Sequence, residues 1–463
     1  MYYYLSFLRP PPSSIDIAVP SGGITITPQI ANDLRTECVS RVQRVPSSAG
    51  PSSSSSSLLP PPPLPTAPVL LTTYLPPSST YKPNLVPLPK GCQVGDVWYL
   101  GLTTNAGGGR AQVPLQRGRI VDVWSQGIRI TSSSSTSSTS SGSTSLSSSD
   151  SKSNGRKDPK SKSKPGSKNS GSSKPLKREY EGPKQTRIFR SWVLPPFERI
   201  MSVVEETSFD LDKKIWDSGL ALTSYLTQLS SPAASTSSPT SSPVSPPLPF
   251  PAPSDLIDRL QRPRARILEI GAGTGLVGIG LAASEIGSQA GMRVMITDLP
   301  SAIPLIDENI ELNRSLWRSR SGQEDDEPRV RSGVLDWDEE VPDWVWSWDE
   351  PEGAADVTYN TDSFPSLIST LSRLFNPHLI TTSTSPSNAA PLLLLAYKQR
   401  HAAERTLWPA LKEIGIELTK FGTISGHEED LGVDVVTGRD EEEGEEVRSG
   451  MGGTELWIGR KKV

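Results

Sequence analysis

Cysteine is nearly absent: Cys38 and Cys92 are the only two in 463 residues. Two thiols are too few for a disulfide framework or a thiolate zinc site, and a reducing compartment fits them. Histidine is almost as scarce. His378, His401 and His427 fall on separate predicted elements at no ligand spacing, so no metal is expected. A charge excess of one sign is missing too: Lys+Arg 47 against Asp+Glu 51 leaves -4, which creates no global basic field for nucleic acid. No run approaches the roughly 20 apolar residues that span a bilayer, and the opening MYYYLSFLRPPP lacks the basic and apolar regions of a secretory signal. The expectation is a soluble, cytoplasmic monomer with neither membrane nor nucleic acid as partner.

Proline and serine are in excess instead. Much of the Pro 44 lies with serine in tracts that bury too little apolar surface to fold. Residues 1–90 therefore read as a largely disordered Ser/Pro-rich N-terminal region, and 91–131 as a short β-rich segment packing on the core, built from VGDVWYLGL and GRIVDVWSQGIRI. Residues 132–184 read as a disordered Ser/Lys-rich insertion, a solvated polycation that adds the nucleus as a second destination. The main folded domain is expected over 185–463, interrupted by low complexity at 230–253.

Within that domain helix and strand signals alternate. RVMITDL, VRSGVLDW, ADVTYN and PLLLLAYKQR read as strands; SAIPLIDENIELNRSLW, SFPSLISTLSRLF and AAERTLWPALKEIG read as helices. Such alternation implies an α/β fold, a Rossmann-like parallel sheet with helices on both faces. IELTKFGTIS and TELWIGRKK suggest a final antiparallel pair around an acidic stretch.

The chemistry concentrates in ARILEIGAGTGLVGIGLA, where a buried strand runs into glycines and on into a helix. Gly271, Gly273 and Gly275 let the backbone turn tightly and approach a ligand beyond the strand's carboxyl end. A dinucleotide fingerprint counted from Gly271 requires glycine at position 276, which is Leu276. Glu269 beside the turn is also ill placed for a pyrophosphate and better placed for a cofactor carrying a sulfonium and an amino acid. Asp298, ending the strand RVMITD, can accept both ribose hydroxyls or can cap the next helix.

With Glu269, GAGTG and Asp298 in this order, the region resembles class I, seven-stranded S-adenosylmethionine-dependent methyltransferases. The flanks KIWDSGLALTSYL, ITDLPSAIPLIDENIELN, LDW and ADVTY narrow this to the methyltransferase-16 or METTL21-like family of protein-lysine methyltransferases, whose marker is D-x-x-Y after the fourth strand. The resemblance implies S-adenosyl-L-methionine as cofactor and a lysine of a non-histone protein as acceptor. It implies that Trp216 packs over the cofactor and that Gly271, Ala272 and Gly273 contact its methionine part. It further implies that Asp298 holds the ribose, that Trp337 lies by the adenine and that Ala355 contributes its backbone. Asp356 and Tyr359 become the expected catalytic pair. An amine-metabolite methyltransferase and a non-catalytic scaffold on the same fold are the alternatives. Trp344, Trp346 and Trp348 read as a hydrophobic brace, and Asp440 to Glu446 as a solvated loop tip.

Overall fold

The computed structural model describes residues 2–33, 38–39, 43–51, 69–74, 81–104, 113–114, 120–132, 180–194, 199–208, 210–229, 248–317, 329–347, 352–355, 361–375, 391–424, 435–436 and 453–462. The expectations for 133–179, 230–247, 381–390 and 440–446 fall outside these residues.

The N-terminal region differs from its expected disorder. Strands β1 (Tyr4–Arg9) and β2 (Gly23–Ala31) pair antiparallel, and Leu5, Ile26 and Ile30 are fully buried. The reason is local: YLSFL and ITITPQI are runs of β-formers whose signal is diluted when averaged with the serine and proline tracts that follow. The 91–131 segment is likewise part of something larger. Its strands β3 (Val97–Leu102) and β4 (Val123–Ser125) join a sheet, of nine strands among the described residues, with the hairpin β5 (Arg187–Leu194) and β6 (Arg199–Glu206).

The alternating half follows the sequence reading apart from ADVTYN, where the strand is Glu352–Ala355 and residues 356–360 lie outside the described ones. After helix α1 (Asp217–Leu226) come β7 (Arg266–Ile270), α2 (Leu276–Ala283), β8 (Arg293–Asp298), α3 (Ile303–Asn313), β9 (Val330–Val334) and β10 (Glu352–Ala355). Helix α4 (Phe364–Leu374), β11 (Leu392–Tyr397), α5 (Leu407–Glu413), β12 (Ile416–Ile424) and β13 (Thr454–Lys461) complete it. Among the described residues the sheet order is β9-β8-β7-β10-β11-β13-β12. The first five strands are parallel, while β13 runs antiparallel between β11 and β12. β11 reads LLLLAY with every residue buried, as a central parallel strand covered on both faces requires.

Two devices lock the N-terminal strands to this sheet. Tyr2, Tyr4, Val121 and Trp192 share one apolar cluster with Leu220, Ile279 and Ile296 of the alternating half. Asn309 and Asn313, one turn apart on α3, present their amides to β6 as a strand edge would. Val204 N–H donates to Asn309 Oδ1 (2.7 Å) and Ser202 N–H to Asn313 Oδ1 (3.0 Å). Each Asn Nδ2 returns a bond to the same residue's carbonyl, at 3.2 and 2.6 Å. No helix among the described residues is long and apolar enough to cross a membrane.

Candidate functional site

A cleft of about 150 Å³ opens beyond the carboxyl ends of β7 and β8. Its floor is the glycine turn. Gly271 (φ 61°), Gly273 (φ 59°) and Gly275 (φ 75°) all adopt left-handed backbone, which disfavours any residue with a Cβ. Gly278, one turn into α2, is small for a different reason: a Cβ there would meet Glu269 Oε2 at 2.5 Å and Ile296 at 2.8 Å.

The two acids divide their work. Glu269 lines the cleft but turns its Oε2 to accept from Gly278 N–H (2.8 Å), tying the strand to the helix that follows it. Burial pushes its pKa up to about 8, an effect the Gly278 bond opposes and the charge of Asp298 reinforces. At neutral pH the group is therefore mostly protonated. Through the Gly278 bond it braces the turn while still lining the cleft. Asp298 accepts from Gly273 N–H through Oδ2 (2.7 Å) and from Leu299 N–H through Oδ1 (2.7 Å). Burial raises its pKa, and these two amides pull it back. A carboxylate has about four acceptor positions, so two remain for vicinal hydroxyls. The helix-cap alternative is not what forms: α3 begins at Ile303, with Ala302 at its cap position.

Of the other expected residues, Trp216, Ala272 and Trp337 line the same cleft. Ala355 ends β10 and pairs with Ile270 and Leu395, which sets its backbone at the cleft end of the sheet. Asp356 and Tyr359 lie outside the described residues, as do Trp348, His378 and His427. Trp344 packs against Gly333, where a Cβ would touch its ring at 2.9 Å, in keeping with a brace. Among the described residues no group of His, Cys, Asp and Glu is placed to hold a metal.

The sequence reading missed two contributions. The wall facing the glycine turn includes Leu211, Asp212 and Lys214 from the segment before α1, and Trp216 Nε1 donates to Leu211 O (3.0 Å). Arg400, just past β11, enters the same cleft with its guanidinium 4.9 Å from the centre of the Trp216 ring. AYKQR carried the signal, two cations directly after a fully buried strand.

The parallel sheet with its reversed seventh strand, the glycine turn after the first strand of that sheet and the acid ending the next one are the features of a Rossmann-like methyltransferase fold. More narrowly, residues 197–414 match the family model for lysine methyltransferase. Protein-lysine N-methyltransferase EFM6 of Saccharomyces cerevisiae is 31% identical over 167 residues, covering 34% of this chain and 59% of that protein. EEF1A lysine methyltransferase 3 of Mus musculus is 36% identical over 113 residues, covering 24% of this chain and 41% of that one. The chain thus spans about half the length of the curated relatives it matches. A solved precorrin-6y C5,15-methyltransferase from Geobacter metallireducens GS-15 aligns at TM-score 0.27 and 9% identity, over 45% of this chain and 87% of its own.

Proposed function

We propose that the protein is an S-adenosylmethionine-dependent protein-lysine N-methyltransferase. The observation that carries the reading is the joining of a left-handed glycine turn and Asp298 in a cleft walled by Trp216 and Trp337. The residues fit the cofactor. The turn presents backbone without side chains, the open acceptor positions of Asp298 suit ribose hydroxyls, and the indoles suit an adenine face. When bound, S-adenosylmethionine supplies a methyl group on a sulfonium, a good leaving group, and this leaves the protein mainly the tasks of positioning and excluding water. Gly271 to Gly273 would hold the cofactor at the turn, and Trp216 and Trp337 would flank it.

A target lysine has an ordinary pKa near 10.4 and has to lose a proton before it can act as nucleophile. Asp356, directly after the strand end at Ala355, is assigned to accept the hydrogen bond of that amine, and Tyr359 to wall its channel. The acceptor is a lysine of a non-histone protein, met by a monomer without nucleic acid. The cytoplasm is the proposed site of action, with nuclear entry through the 132–184 tract; imaging of tagged full-length and tract-deleted chains tests this.

Incubation with cofactor labelled in its methyl group and a cell lysate tests the activity. A labelled protein whose modified residue is lysine supports the reading. Label confined to small molecules indicates an amine methyltransferase, and binding without transfer indicates a scaffold. Asp356→Ala should lower turnover at least about 100-fold, the scale of lost positioning at a reacting group, and Tyr359→Phe less. Wild-type rates in both would remove the pair from the site.

A further inference from the structure

Behind the Trp216 wall lies a buried cluster of charges drawn from distant parts of the chain. Asp33 follows β2, Asp217 opens α1, and Lys398 and Arg400 follow β11. Their side chains are 1%, 1%, 4% and 11% exposed. Lys398 Nζ lies 2.5 Å from Asp217 Oδ2 and 3.6 Å from Asp33 Oδ1, and Arg400 Nη2 donates to Asp33 Oδ2 at 3.0 Å. Tyr2 N–H (3.1 Å) and Tyr4 Oη–H (3.0 Å) donate to Asp217 as well. Two carboxylates thus face two cations. Only Arg400 of the four lines the cofactor cleft.

Asp33 is the member whose negative charge serves Arg400. Burial would raise its pKa, yet Lys398 and then Arg400 bring it below the ordinary carboxylate range. Asp217 moves the other way, pushed up by burial and by Asp33 against the pull of Lys398. A lone guanidinium on the wall of a poorly solvated cleft repels a cationic ligand, whereas a guanidinium 3.0 Å from a carboxylate is a dipole whose field falls off quickly.

We propose that Asp33, contributed by the N-terminal β-structure, is a positioning residue of the cofactor cleft: it holds Arg400 against the Trp216 ring and cancels its charge, so that the cleft admits a sulfonium. This rests on the reading of the cleft as an S-adenosylmethionine site. It makes the N-terminal strands part of the cofactor site, in addition to their part in the core.

The readout is the ratio of the dissociation constants of S-adenosylmethionine and S-adenosylhomocysteine, two ligands that differ by the methyl group and its sulfonium charge. A loss of shape weakens both; a change of field separates them. Calorimetric titration of the full chain should show Asp33→Asn raising that ratio roughly 5- to 10-fold, the effect of one uncompensated charge several ångströms away. Arg400→Gln should lower the ratio, and the double variant should return it close to the wild-type value. An unchanged ratio in Asp33→Asn, whether both ligands keep their affinity or weaken together, overturns the proposal. If that variant does not fold, as melting and circular dichroism would show, Arg400→Gln decides: a ratio that stays or rises overturns it. A wild-type chain that binds neither ligand overturns the cofactor reading itself, whereas binding of both with insensitive ratios overturns this inference alone.

Discussion

Glu269 shows how burial sets a proton. Its folded pKa of about 8 lies above the ordinary 4.5, so the folded state binds the proton more tightly than the unfolded chain does. The stabilisation is complete below pH 4.5 and is lost as pH rises towards 8, at up to about 1.4 kcal/mol per pH unit. Thermal melts across that window should therefore show wild-type stability falling with pH. Glu269→Gln, which still accepts from Gly278 N–H, should flatten the fall. Asp298 has the opposite dependence in function, because its ionised form serves the ligand. Asp298→Ala should weaken S-adenosylmethionine binding roughly 10- to 100-fold, the loss of one or two hydrogen bonds to a charged group, as titration calorimetry would measure.

At the scale of elements, the amide ladder between α3 and β6 makes a firm prediction. Asn309→Ala leaves the buried Val204 N–H without its acceptor and Thr274 O without its donor, and should cost about 2–3 kcal/mol in denaturant unfolding. Asn313→Ala should cost a similar amount through Ser202. Gly275→Ala, at φ 75° with a Cβ 3.3 Å from Ile296, should lose about 1–2 kcal/mol by the same assay. The ladder was not legible beforehand: ENIELN reads as a helix with polar positions, and only the placed β6 shows what the polar positions meet. Most of the sheet was legible, because β8 and β11 carry apolar runs and glycine marks the turn after β7, whereas β10, reading EGAA, has no such run and was expected later in the chain, at ADVTYN. The two acids were legible as residues, but the backbone amides they hold were not. Whether Glu269 faces ligand or helix depends on the missing Cβ of Gly278, which spacing alone does not reveal.

At the scale of the whole molecule, the N-terminal strands share an apolar core with the alternating half, which composition alone does not suggest. Tyr2 and Tyr4 sit in the same apolar cluster as the glycine-turn helix, so unfolding the N-terminal strands exposes the main core. A single calorimetric transition is expected for the full chain. Tyr4→Phe, which strips one donor from the buried Asp217 carboxylate, should lower the stability of that transition by about 1–3 kcal/mol and not create a second one. The strands at Tyr4–Arg9 and Gly23–Ala31 were missed because composition was averaged across a window in which short β-formers alternate with serine runs. Asp33 was invisible for a deeper reason: its partner Arg400 is 367 residues away, and no local pattern encodes so distant a pairing.

That separation also orders events in time. At synthesis rates of about 5–20 residues per second, roughly 20–70 s pass between the making of Asp33 and of Arg400, a gap of 367 residues. Before that interval ends the apolar cluster around Leu5, Ile26 and Ile30, which draws on nothing beyond Ile188 among its buried members, is already present in the chain, while Asp33 has no Arg400 to pair with. The pairing of one of the first acids made is thus among the last contacts to form, and the cleft, which Arg400 lines, cannot take its final form on a chain still attached to the ribosome short of β11.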